Sequence, residues 1–410
     1  MWGDNYGNRI DRFLAAVAYL DGERPSLVMC RGYYTRTVLV AWDWRNGQLT
    51  QRWKFDSDDN TPGNAAFRGQ GNHNLSVADV DDDGKDEIIY GSCAVDDDGR
   101  GMYATGRGHG DAMHVSDLDP ARPGLEVFSV HESPSSYGNN PNDFRDARTG
   151  TLIWGGPAAN QGDVGRGVTM DVDPRTWGAE SWSTRGGLYS ATGTQVSTAK
   201  PNTINFAVWW DGDLLREQLD GTTINKWDWV GGRTNTLLNA AALGAGSNNG
   251  TKATPNLSAD LFGDWREEVI WRNTNNEELL IFTTTIPTAY RIPTLMHDPQ
   301  YRLSIAWQNV GYNQPPHTGY YLGEGMPVVA GMKQTKNLIG AAVFPNPSTS
   351  SFRVRVKGNF HYEVYNQTGQ RLEEGDGQTE QLVGEKLRPG LYVLRISTAE
   401  GTSMLSVVKQ

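Results

Sequence analysis

The stretch NLSVADVDDDGKDEIIY, residues Asn74–Tyr90, decides the fold class of this chain. An alternating apolar run leads into Asp79, and further acids follow at Asp81 and Asp83 before a glycine turn. Apolar residues then return at once, so two short β-runs flank a tight acidic loop. This pattern predicts paired strands and has no helical periodicity.

The same unit recurs along the chain, at intervals of roughly 40–60 residues. Its apolar runs end in acids at Ala15–Asp21, Asn74–Asp81, Ala112–Asp119, Gly167–Asp173, Asn205–Asp211 and Asn256–Asp264. Tyr301–Val310 starts a seventh unit without the acids, and Trp44–Gln48 predicts a hairpin that turns at Asn-Gly. Short strands at such a period predict an all-β protein, a β-propeller of about seven blades.

The composition narrows the range of functions. The chain has 410 residues, 48 glycines and 14 tryptophans, and its net charge of −11 argues against nucleic-acid binding. No apolar run is long enough to cross a membrane, and no signal peptide opens the sequence, so we expect the natural N-terminus of a secreted protein to lie upstream. Cys30 and Cys93 are interpreted as two buried free thiols, although secretion would permit a disulfide.

The composition changes near residue 340. Phe344–Ser348 (FPNPS) is typical of a linker, and short alternating runs follow at Phe352–Val356, Tyr362–Tyr365, Leu391–Ile396 and Met404–Val408. Asn366–Gly369 predicts a turn between strands. We therefore expect a repeat domain over residues 1–340 and a small β-sandwich over residues 341–410.

The Asp79–Glu87 loop has the ligand order of a calcium site. Calcium takes six to eight oxygen ligands, and alternate acids on a tight loop direct their oxygens inward. The predicted ligands are the side chains of Asp79, Asp81, Asp83 and Glu87, with the carbonyl of Lys85. The alternative is a solvated acidic turn, but four carboxylates this close repel one another without a cation.

Weaker versions of this loop recur in register, and several calcium ions with a structural role are the prediction. Their predicted ligands are Asp117, Asp119 and Glu126; Asp171, Asp173 and Glu180; and Asp260, Asp264 and Glu268.

A second kind of metal site is indicated by the scarce histidines, of which the chain has seven. His73 and His109 follow glycine-rich loops, and with Asp111 and Glu132 they supply a mixed nitrogen and oxygen ligand set. Such sets generally suit transition metals better than calcium. The alternative is ordinary loop histidines with hydrogen-bonded rings.

Polar loops elsewhere offer groups that suit a sugar acid. Lys252 follows the flexible run Asn248–Thr251, and Tyr312 lies in a loop that is rich in sugar-binding residue types. Arg166 stands between two glycines, where a guanidinium could pair with a uronate carboxylate. Surface turns and a solvated arginine are the alternatives.

Four long stretches of residues 3–340 resemble the rhamnogalacturonan lyases of polysaccharide lyase family eleven. They are Gly3–Arg36, Gly69–Gly91, Gly108–Glu132 and Asn248–Arg272. The resemblance implies an eight-bladed propeller with many calcium ions. It also implies cleavage of the rhamnose–galacturonate backbone of rhamnogalacturonan I, an acidic pectin polysaccharide, by β-elimination.

The resemblance also implies roles for individual residues. It makes His73, His109, Asp111 and Glu132 ligands of a calcium ion in the active cleft, in place of a softer metal. Arg166 and Lys252 would face the galacturonate, with Lys252 as the candidate base and Tyr312 as the other candidate. The residues that would hold the rhamnose are Asn249, Gly250, Thr251 and Tyr312.

Departures from the family pattern leave alternatives open. The family has an N-terminal β-sandwich and the start of the propeller before the part that resembles this chain, so we expect a truncated, unclosed propeller here. A calcium-dependent pectin-binding propeller without activity, or an inactive fragment, is the second hypothesis. An adhesion propeller is the third, although it has no need of the His73–His109 pair. We expect a monomer in each case.

The last 65 or so residues resemble the C-terminal sorting domain of type IX secretion. The resemblance rests on Phe344–Pro347, Tyr365–Gly369, Gly390–Tyr392 and the basic end of the chain. It implies export by that machinery and a secreted or cell-surface location.

Overall fold

The computed structural model describes residues 2–3, 5–7, 12–157, 162–326, 341–365, 371–399 and 401–409. It divides the chain into two compact units, Met1–Pro327 and Val328–Gln410. Both are built mainly of antiparallel strands with few helices, so the predicted all-β class is confirmed.

Six four-stranded sheets follow one another along the first unit. The strands of the first three are β1 (Phe13–Ala18), β2 (Ser26–Arg31), β3 (Val38–Arg45) and β4 (Gln48–Asp56); β5 (Ser76–Ala78), β6 (Glu87–Ile89), β7 (Cys93–Val95) and β8 (Gly101–Ala104); and β9 (Ala112–Ser116), β10 (Glu126–Val130), β11 (Asn142–Asp146) and β12 (Leu152–Gly155).

The strands of the next three sheets are β13 (Gly167–Met170), β14 (Glu180–Ser183), β15 (Leu188–Tyr189) and β16 (Gln195–Ser197); β17 (Phe206–Val208), β18 (Glu217–Asp220), β19 (Thr223–Asp228) and β20 (Arg233–Asn239); and β21 (Ala245–Gly246), β22 (Leu257–Ala259), β23 (Glu268–Asn273) and β24 (Leu279–Phe282). The first five sheets run in simple chain order, and in the sixth β23 pairs with the other three strands.

Four of these sheets begin with a fully buried strand. The first strands β5, β9, β13 and β17 are buried throughout, whereas the fourth strand β8 is partly exposed and the fourth strand β20 is largely exposed. Their apolar residues pack between neighbouring sheets, as Val77 and Ile88 do against the first sheet. Full burial of one such side chain contributes about 1.5–3 kcal/mol.

Backbone hydrogen bonds join each of several sheets to the one before it. The residue just before β6, β14, β18 or β23 donates to a carbonyl just after the first strand of the previous sheet. The bonds are Asp86 N to Tyr19 O, Ala179 N to Leu118 O, Arg216 N to Asp171 O and Glu267 N to Trp209 O. The repeated units therefore lie side by side in chain order.

The predicted seventh unit is wrong, because Tyr301–Val310 does not form a strand. A helix, α2 (Pro299–Ala306), covers most of it and contacts β1, β5 and β22. The Asp298 side chain caps the helix by accepting from Tyr301 N at 2.8 Å, and Pro299 occupies the first turn. An Asp-Pro helix start outweighs the apolar alternation that follows it. The described residues of the first unit thus form six repeated sheets.

Other short elements connect the sheets. One is the α1 helix (Pro134–Tyr137), and the rest are 3-10 turns at Asn64–Phe67, Ala240–Leu243, Gly250–Lys252 and Leu295–His297. The hairpin predicted at Trp44–Gln48 is confirmed. Asn46 and Gly47 link β3 to β4 with positive φ values of 51° and 76°.

The second unit contains a five-stranded antiparallel sheet. Its strands are β25 (Ala342–Phe344), β26 (Phe352–Tyr365), β27 (Arg371–Val383), β28 (Gly390–Thr398) and β29 (Gly401–Lys409). Two runs predicted separately, 352–356 and 362–365, belong to the single strand β26. The sequence did not predict β27, because its glycines and acids give no apolar face. The turn predicted at residues 366–369 lies outside the described residues.

Candidate active site

Loops at the start of two neighbouring sheets bring four predicted ligands together. His73 precedes β5, His109 and Asp111 precede β9, and Glu132 follows β10. The His109 loop is held close to its neighbours, since a Cβ on Gly110 would lie 1.7 Å from the Val130 carbonyl oxygen. Only glycine fits there, so the backbone itself sets the position of His109 and Asp111.

The side chains of this cluster face one another. One ligand atom from each of His73, His109 and Asp111 lies within 4.8 Å of the other two. His73 Nε2 is 3.2 Å from Asp111 Oδ1, and His109 Nε2 is 3.7 Å from both Asp111 Oδ1 and Glu132 Oε2. His109 Nε2 is buried and has no hydrogen-bond partner. A buried nitrogen left in this way, beside carboxylates, fits a metal ion.

The protonation states suit metal binding. Burial lowers the pKa of His73 to about 4, so its ring is neutral at pH 7. Burial acts to raise the pKa of Asp111, but hydrogen bonds from His109, His73 and Lys252 outweigh it and hold that pKa well below its usual range. A neutral imidazole and an ionised carboxylate are the forms that ligate metals.

Two more predicted residues reach this cluster from distant parts of the chain. Lys252 Nζ lies 2.8 Å from Asp111 Oδ2. The ring of Tyr312 lies 4.1 Å from that of His73, centroid to centroid, and Lys252 Nζ is 5.3 Å from the Tyr312 ring. The candidate base, the alternative base and the predicted metal ligands therefore lie together at one place.

Arg166 is buried, so the interpretation as a solvated arginine is wrong. It donates to the carbonyls of Asn205 at 2.7 Å and Asn313 at 3.0 Å, while its Nε and NH1 have no partner. Burial lowers its pKa to about 10, which still leaves it charged at neutral pH. A Cβ on Gly165 would lie 3.9 Å from Lys252 Nζ, so the Arg166 loop adjoins the cluster.

The Asn249–Lys252 segment is tied to the Tyr312 loop. Asn249 has a positive φ of 48°, its side-chain amide donates to the Gly311 carbonyl, and the 3-10 turn Gly250–Lys252 follows. The side chain of Thr251 lies outside the described residues. The predicted rhamnose-binding residues are thus adjacent to the cluster, although no sugar contact follows from this alone.

Three residues of the site escaped the sequence interpretation. The Tyr33 hydroxyl lies 2.9 Å from His73 Nδ1, the Tyr34 hydroxyl 3.2 Å from His73 Nε2, and Arg12 NH1 2.8 Å from His73 Nδ1. The ring centroid of Tyr34 is 4.2 Å from that of His109. A Tyr-Tyr pair at the end of a strand was the available signal, but nothing local distinguishes it from core aromatics.

The acidic loops have the same hydrogen-bond pattern. In five sheets the glutamate that begins the strand after the acidic loop (β6, β10, β14, β18 or β23), here called the closing glutamate, accepts from backbone amides of its own loop through Oε2. The bonds are from Val80 to Glu87, Leu118 and Asp119 to Glu126, Val172 and Asp173 to Glu180, Trp210 and Asp211 to Glu217, and Leu261 and Phe262 to Glu268.

The Asp79–Glu87 loop gathers its acids most completely. Asp79, Asp81 and Glu87 form one group of facing carboxylates, and Asp83, Glu87 and Asp97 form another. Glu87 Oε1 is buried and has no hydrogen-bond partner. Uncompensated oxygens among acids fit a hard cation.

Three other loops engage their leading acids differently. Asp117 accepts from Tyr321 N, Asp171 from the Tyr321 hydroxyl and Asp260 from Leu295 N. Asp173 and Asp264 pair with nearby arginines, while Asp119 accepts from Ala121 N. Within the described chain, these three predicted ligand sets are less tightly gathered than the Asp79 loop.

The Asp211–Glu217 loop lies in the fifth sheet and is here called the fifth loop. The sequence predicted a repeated run at Asn205–Asp211 but no metal ligands there. Asp211, Asp213 and Glu217 face one another there. Its shorter spacing between the first acid and the closing glutamate is why the sequence pattern did not reveal it.

Serial antiparallel sheets, acidic turns and a mixed histidine–carboxylate cluster define an all-β repeat protein. Two family models cover the chain. "Rhamnogalacturonan lyase family 11, C-terminal domain" matches residues 1–331, and "Secretion system C-terminal sorting domain" matches residues 342–410. The chain belongs to rhamnogalacturonan lyase family 11.

Known relatives agree with this assignment. Rhamnogalacturonan endolyase YesW of Bacillus subtilis (strain 168) is 61% identical over 326 residues, which are 79% of this chain and 51% of the relative. The exolyase YesX of the same organism is 59% identical over 342 residues, covering 79% and 54%. The chain thus spans about half the length of the curated relatives it matches.

Solved structures give the same result. The crystal structure of YesW is similar with a TM-score of 0.75 at 60% identity, and that of a Bacillus licheniformis rhamnogalacturonan lyase with 0.75 at 64%. Each match covers 79% of this chain and 54% of the solved chain.

The matched sorting domain confirms the type IX assignment and indicates secretion or display at the cell surface. The helices among the described residues are too short or too polar to cross a membrane.

Proposed function

We propose that this chain cleaves the rhamnose–galacturonate backbone of rhamnogalacturonan I by β-elimination. The observation that carries the proposal is the meeting of His73, His109, Asp111 and Lys252, from three separate segments, at one site. The relatives named as rhamnogalacturonan endolyase and exolyase support the choice of substrate class.

The six sheets are proposed to be blades of a propeller. The first strands β5, β9, β13 and β17 are buried, and β1 contacts β5, β9 contacts β13 and β13 contacts β17. Sheets whose buried first strands contact one another in series fit the radial arrangement of propeller blades around a common centre. The second unit is proposed to be a small β-sandwich.

Calcium is proposed for the His73 cluster and for the Asp79–Glu87 loop. The unpartnered His109 Nε2 and Glu87 Oε1 support a cation at each place. The relationship to lyases of acidic polysaccharides favours calcium over a softer metal. Several calcium ions, with structural roles at the other acidic loops, complete the proposal.

Elimination requires the proton on C5 of galacturonate to leave, next to the carboxylate. The electron pair of that C–H bond forms the C4–C5 double bond, and the C4–O4 bond to rhamnose breaks as O4 takes up a proton. When calcium is bound, it supplies charge that neutralises the uronate carboxylate and favours this loss. Arg166 lies beside the cluster and adds positive potential to the same region.

Lys252 is the proposed base, and Tyr312 is the second candidate. Lys252 Nζ lies 2.8 Å from Asp111 Oδ2, and Lys252 is proposed to act as the base when Asp111 is engaged as a metal ligand. The Tyr312 ring packs on His73 and lies close to Lys252, so its hydroxyl can hold or return a proton in the same space.

The test is incubation of the 410-residue chain with rhamnogalacturonan I and calcium. Elimination produces an unsaturated uronate, whose conjugated double bond absorbs in the ultraviolet. We expect absorbance to rise with time and a chelator to slow this rise. The rate of the rise is expected to be about 100-fold lower in Lys252→Met. Tyr312→Phe is expected to retain more of the rate.

Full activity in Lys252→Met with loss in Tyr312→Phe would transfer the role of base to Tyr312. Binding of the polysaccharide without any absorbance change, in a folded chain with calcium, would contradict the lyase proposal. It would favour the pectin-binding propeller instead.

A further inference from the structure

The fifth acidic loop differs from the others in the charges around it. In each loop one residue of the preceding strand pairs with the closing glutamate, and the residue after it is here called the leading position. In the other four loops the leading position is an aspartate, namely Asp79, Asp117, Asp171 or Asp260. In the fifth sheet Val208 pairs with Glu217, so the leading position is Trp209. One acid has therefore been replaced by a buried aromatic residue.

The strand that follows the closing glutamate's own strand carries a second difference. One residue of that strand lies opposite each closing glutamate. Asp146 pairs with Glu126 directly. When the other registers are extended by one residue, the opposing pairs are Asp96 and Glu87, Ser190 and Glu180, Thr283 and Glu268, and Lys226 and Glu217. Four of these side chains offer oxygen. Of the five loops in the described residues, the fifth has a cation at this position.

Lys226 fills the space between the acids. Its Nζ lies 2.9 Å from Asp211 Oδ2, 2.6 Å from Asp213 Oδ1 and 2.6 Å from Glu217 Oε1. It also donates to the Leu215 carbonyl at 3.1 Å. In chain position relative to the closing glutamate, Leu215 corresponds to Lys85, whose carbonyl is a predicted calcium ligand.

The second sheet also has a lysine, but Lys85 Nζ pairs with Asp83 and Asp97, so the contrast lies at the Oε1 atom of the closing glutamate. Glu87 Oε1 is buried without a partner, whereas the same atom of Glu217 accepts from the Lys226 ammonium. Burial opposes the charge of Lys226, but Glu217 and Asp213 outweigh it and raise its pKa, so the ammonium stays charged.

We infer that Lys226 is the built-in counter-ion of the fifth loop, and that this loop holds its acids together without calcium. Calcium binds carboxylate oxygens at about 2.3–2.6 Å, so it would need the space that Lys226 Nζ occupies and would be repelled by the ammonium charge. The residue opposite the closing glutamate on the next strand thus decides which loops take a metal. The inference rests on the proposed calcium sites of the other loops for its contrast.

Calcium content tests the inference directly. Lys226→Met keeps the aliphatic stem and removes the charge, and Lys357→Met removes an exposed lysine of the second unit as the matched control. After equilibrium dialysis against calcium, the Lys226→Met chain is expected to hold about one ion more than wild type. The control variant is expected to hold the wild-type number. In the reverse direction, Asp96→Lys is expected to hold about one ion fewer.

Hydrogen exchange provides a second readout on the unmodified chain. Removal of calcium is expected to speed amide exchange in residues 76–95 and to leave residues 206–228 unchanged. Chelator-sensitive exchange in residues 206–228, or an unchanged calcium number in folded Lys226→Met, would overturn the inference.

If wild type binds no calcium at all, the proposed metal sites fail while the lysine remains testable. In calcium-free buffer Lys226→Met must then melt at a lower temperature than wild type and Lys357→Met, because three carboxylates lose their counter-ion. An unchanged melting temperature would mean that Lys226 has no such role.

Discussion

Lys252 Nζ and Asp111 Oδ2 lie 2.8 Å apart, although 141 positions separate the two residues in the chain. The two side chains are largely buried, with relative exposures of 17% and 11%. A buried pair of this kind requires both partners, because removal of one leaves an uncompensated charge. The pair therefore couples the Asn248–Lys252 loop to the histidine–carboxylate cluster.

Asp111→Asn is the first variant that this pair suggests. The amide is of the same size but cannot ligate a cation as a carboxylate does, and it leaves Lys252 without its counter-ion. We expect the rate of ultraviolet-absorbing product formation to fall at least about 100-fold. The control is Asp59→Asn, at an exposed loop position, which should keep the wild-type rate. Wild-type activity in Asp111→Asn would remove this residue from the site.

Much of this site could be predicted from sequence, because its residues lie in long, specific motifs. His73, His109, Asp111 and Lys252 meet as the family resemblance implied. Their convergence could not be derived from spacing, since it depends on which sheets are neighbours. Tyr33 and Tyr34 escaped for the same reason, as only the packed structure places them on the histidines.

The fold shows the same division. Alternation and acidic turns predicted the repeated sheets because they are local signals. The helix at Pro299–Ala306 was missed because its capping aspartate and proline lie just before an alternating run that suggests a strand. The burial of Arg166 could not be predicted, because it depends on the distant carbonyls of Asn205 and Asn313.

His114 makes the stability of the first unit depend on pH. Its Nε2 lies 3.0 Å from the Gly167 carbonyl oxygen, which can only accept, so Nε2 carries the proton. Nδ1 therefore accepts from His317 Nε2 at 2.9 Å. Burial lowers the pKa of His114 to about 3, and the buried ring is neutral in the folded state.

The sign follows from the lowered pKa. Above the unfolded value of about 6.5 neither state is protonated, and the full stability is present. Between pH 6.5 and 3 the unfolded chain alone takes the proton, so the free energy of unfolding falls by about 1.4 kcal/mol per pH unit as the pH falls. The free energy of unfolding, measured with urea at pH 7 and pH 5.5, should change less with pH in His114→Gln than in wild type. The exposed His297 provides the control, and His297→Gln should follow wild type. Equal slopes in wild type and His114→Gln would contradict this account.

Glu87 should make calcium binding depend on pH. Burial, together with the nearby Asp81 and Asp79, raises the pKa of Glu87 to about 8 when no cation is present. Below that pH calcium must displace a proton, so the affinity of this loop falls by up to about tenfold per pH unit as the pH falls. Calorimetric titration in two buffers of different ionisation enthalpy measures the protons released. Glu87→Gln should release about one proton fewer than wild type at pH 7. A proton release that this variant leaves unchanged would show that Glu87 does not bind the ion.

Cys30 and Cys93 should report on the stability of the core between the first two sheets. Both are free thiols in that core, with exposures of 1% and 0%. Burial raises the pKa of Cys93 to about 12 and that of Cys30 further, so neither forms the reactive thiolate at neutral pH. We expect a thiol reagent to leave both unmodified in the folded chain and to label both in denaturant. Because β7 carries Cys93 in the sheet that the Glu87 loop closes, chelation of calcium should speed its labelling without full unfolding. Prompt labelling in calcium buffer would mean that this core opens readily, and labelling that a chelator does not change would separate the loop from the stability of its sheet.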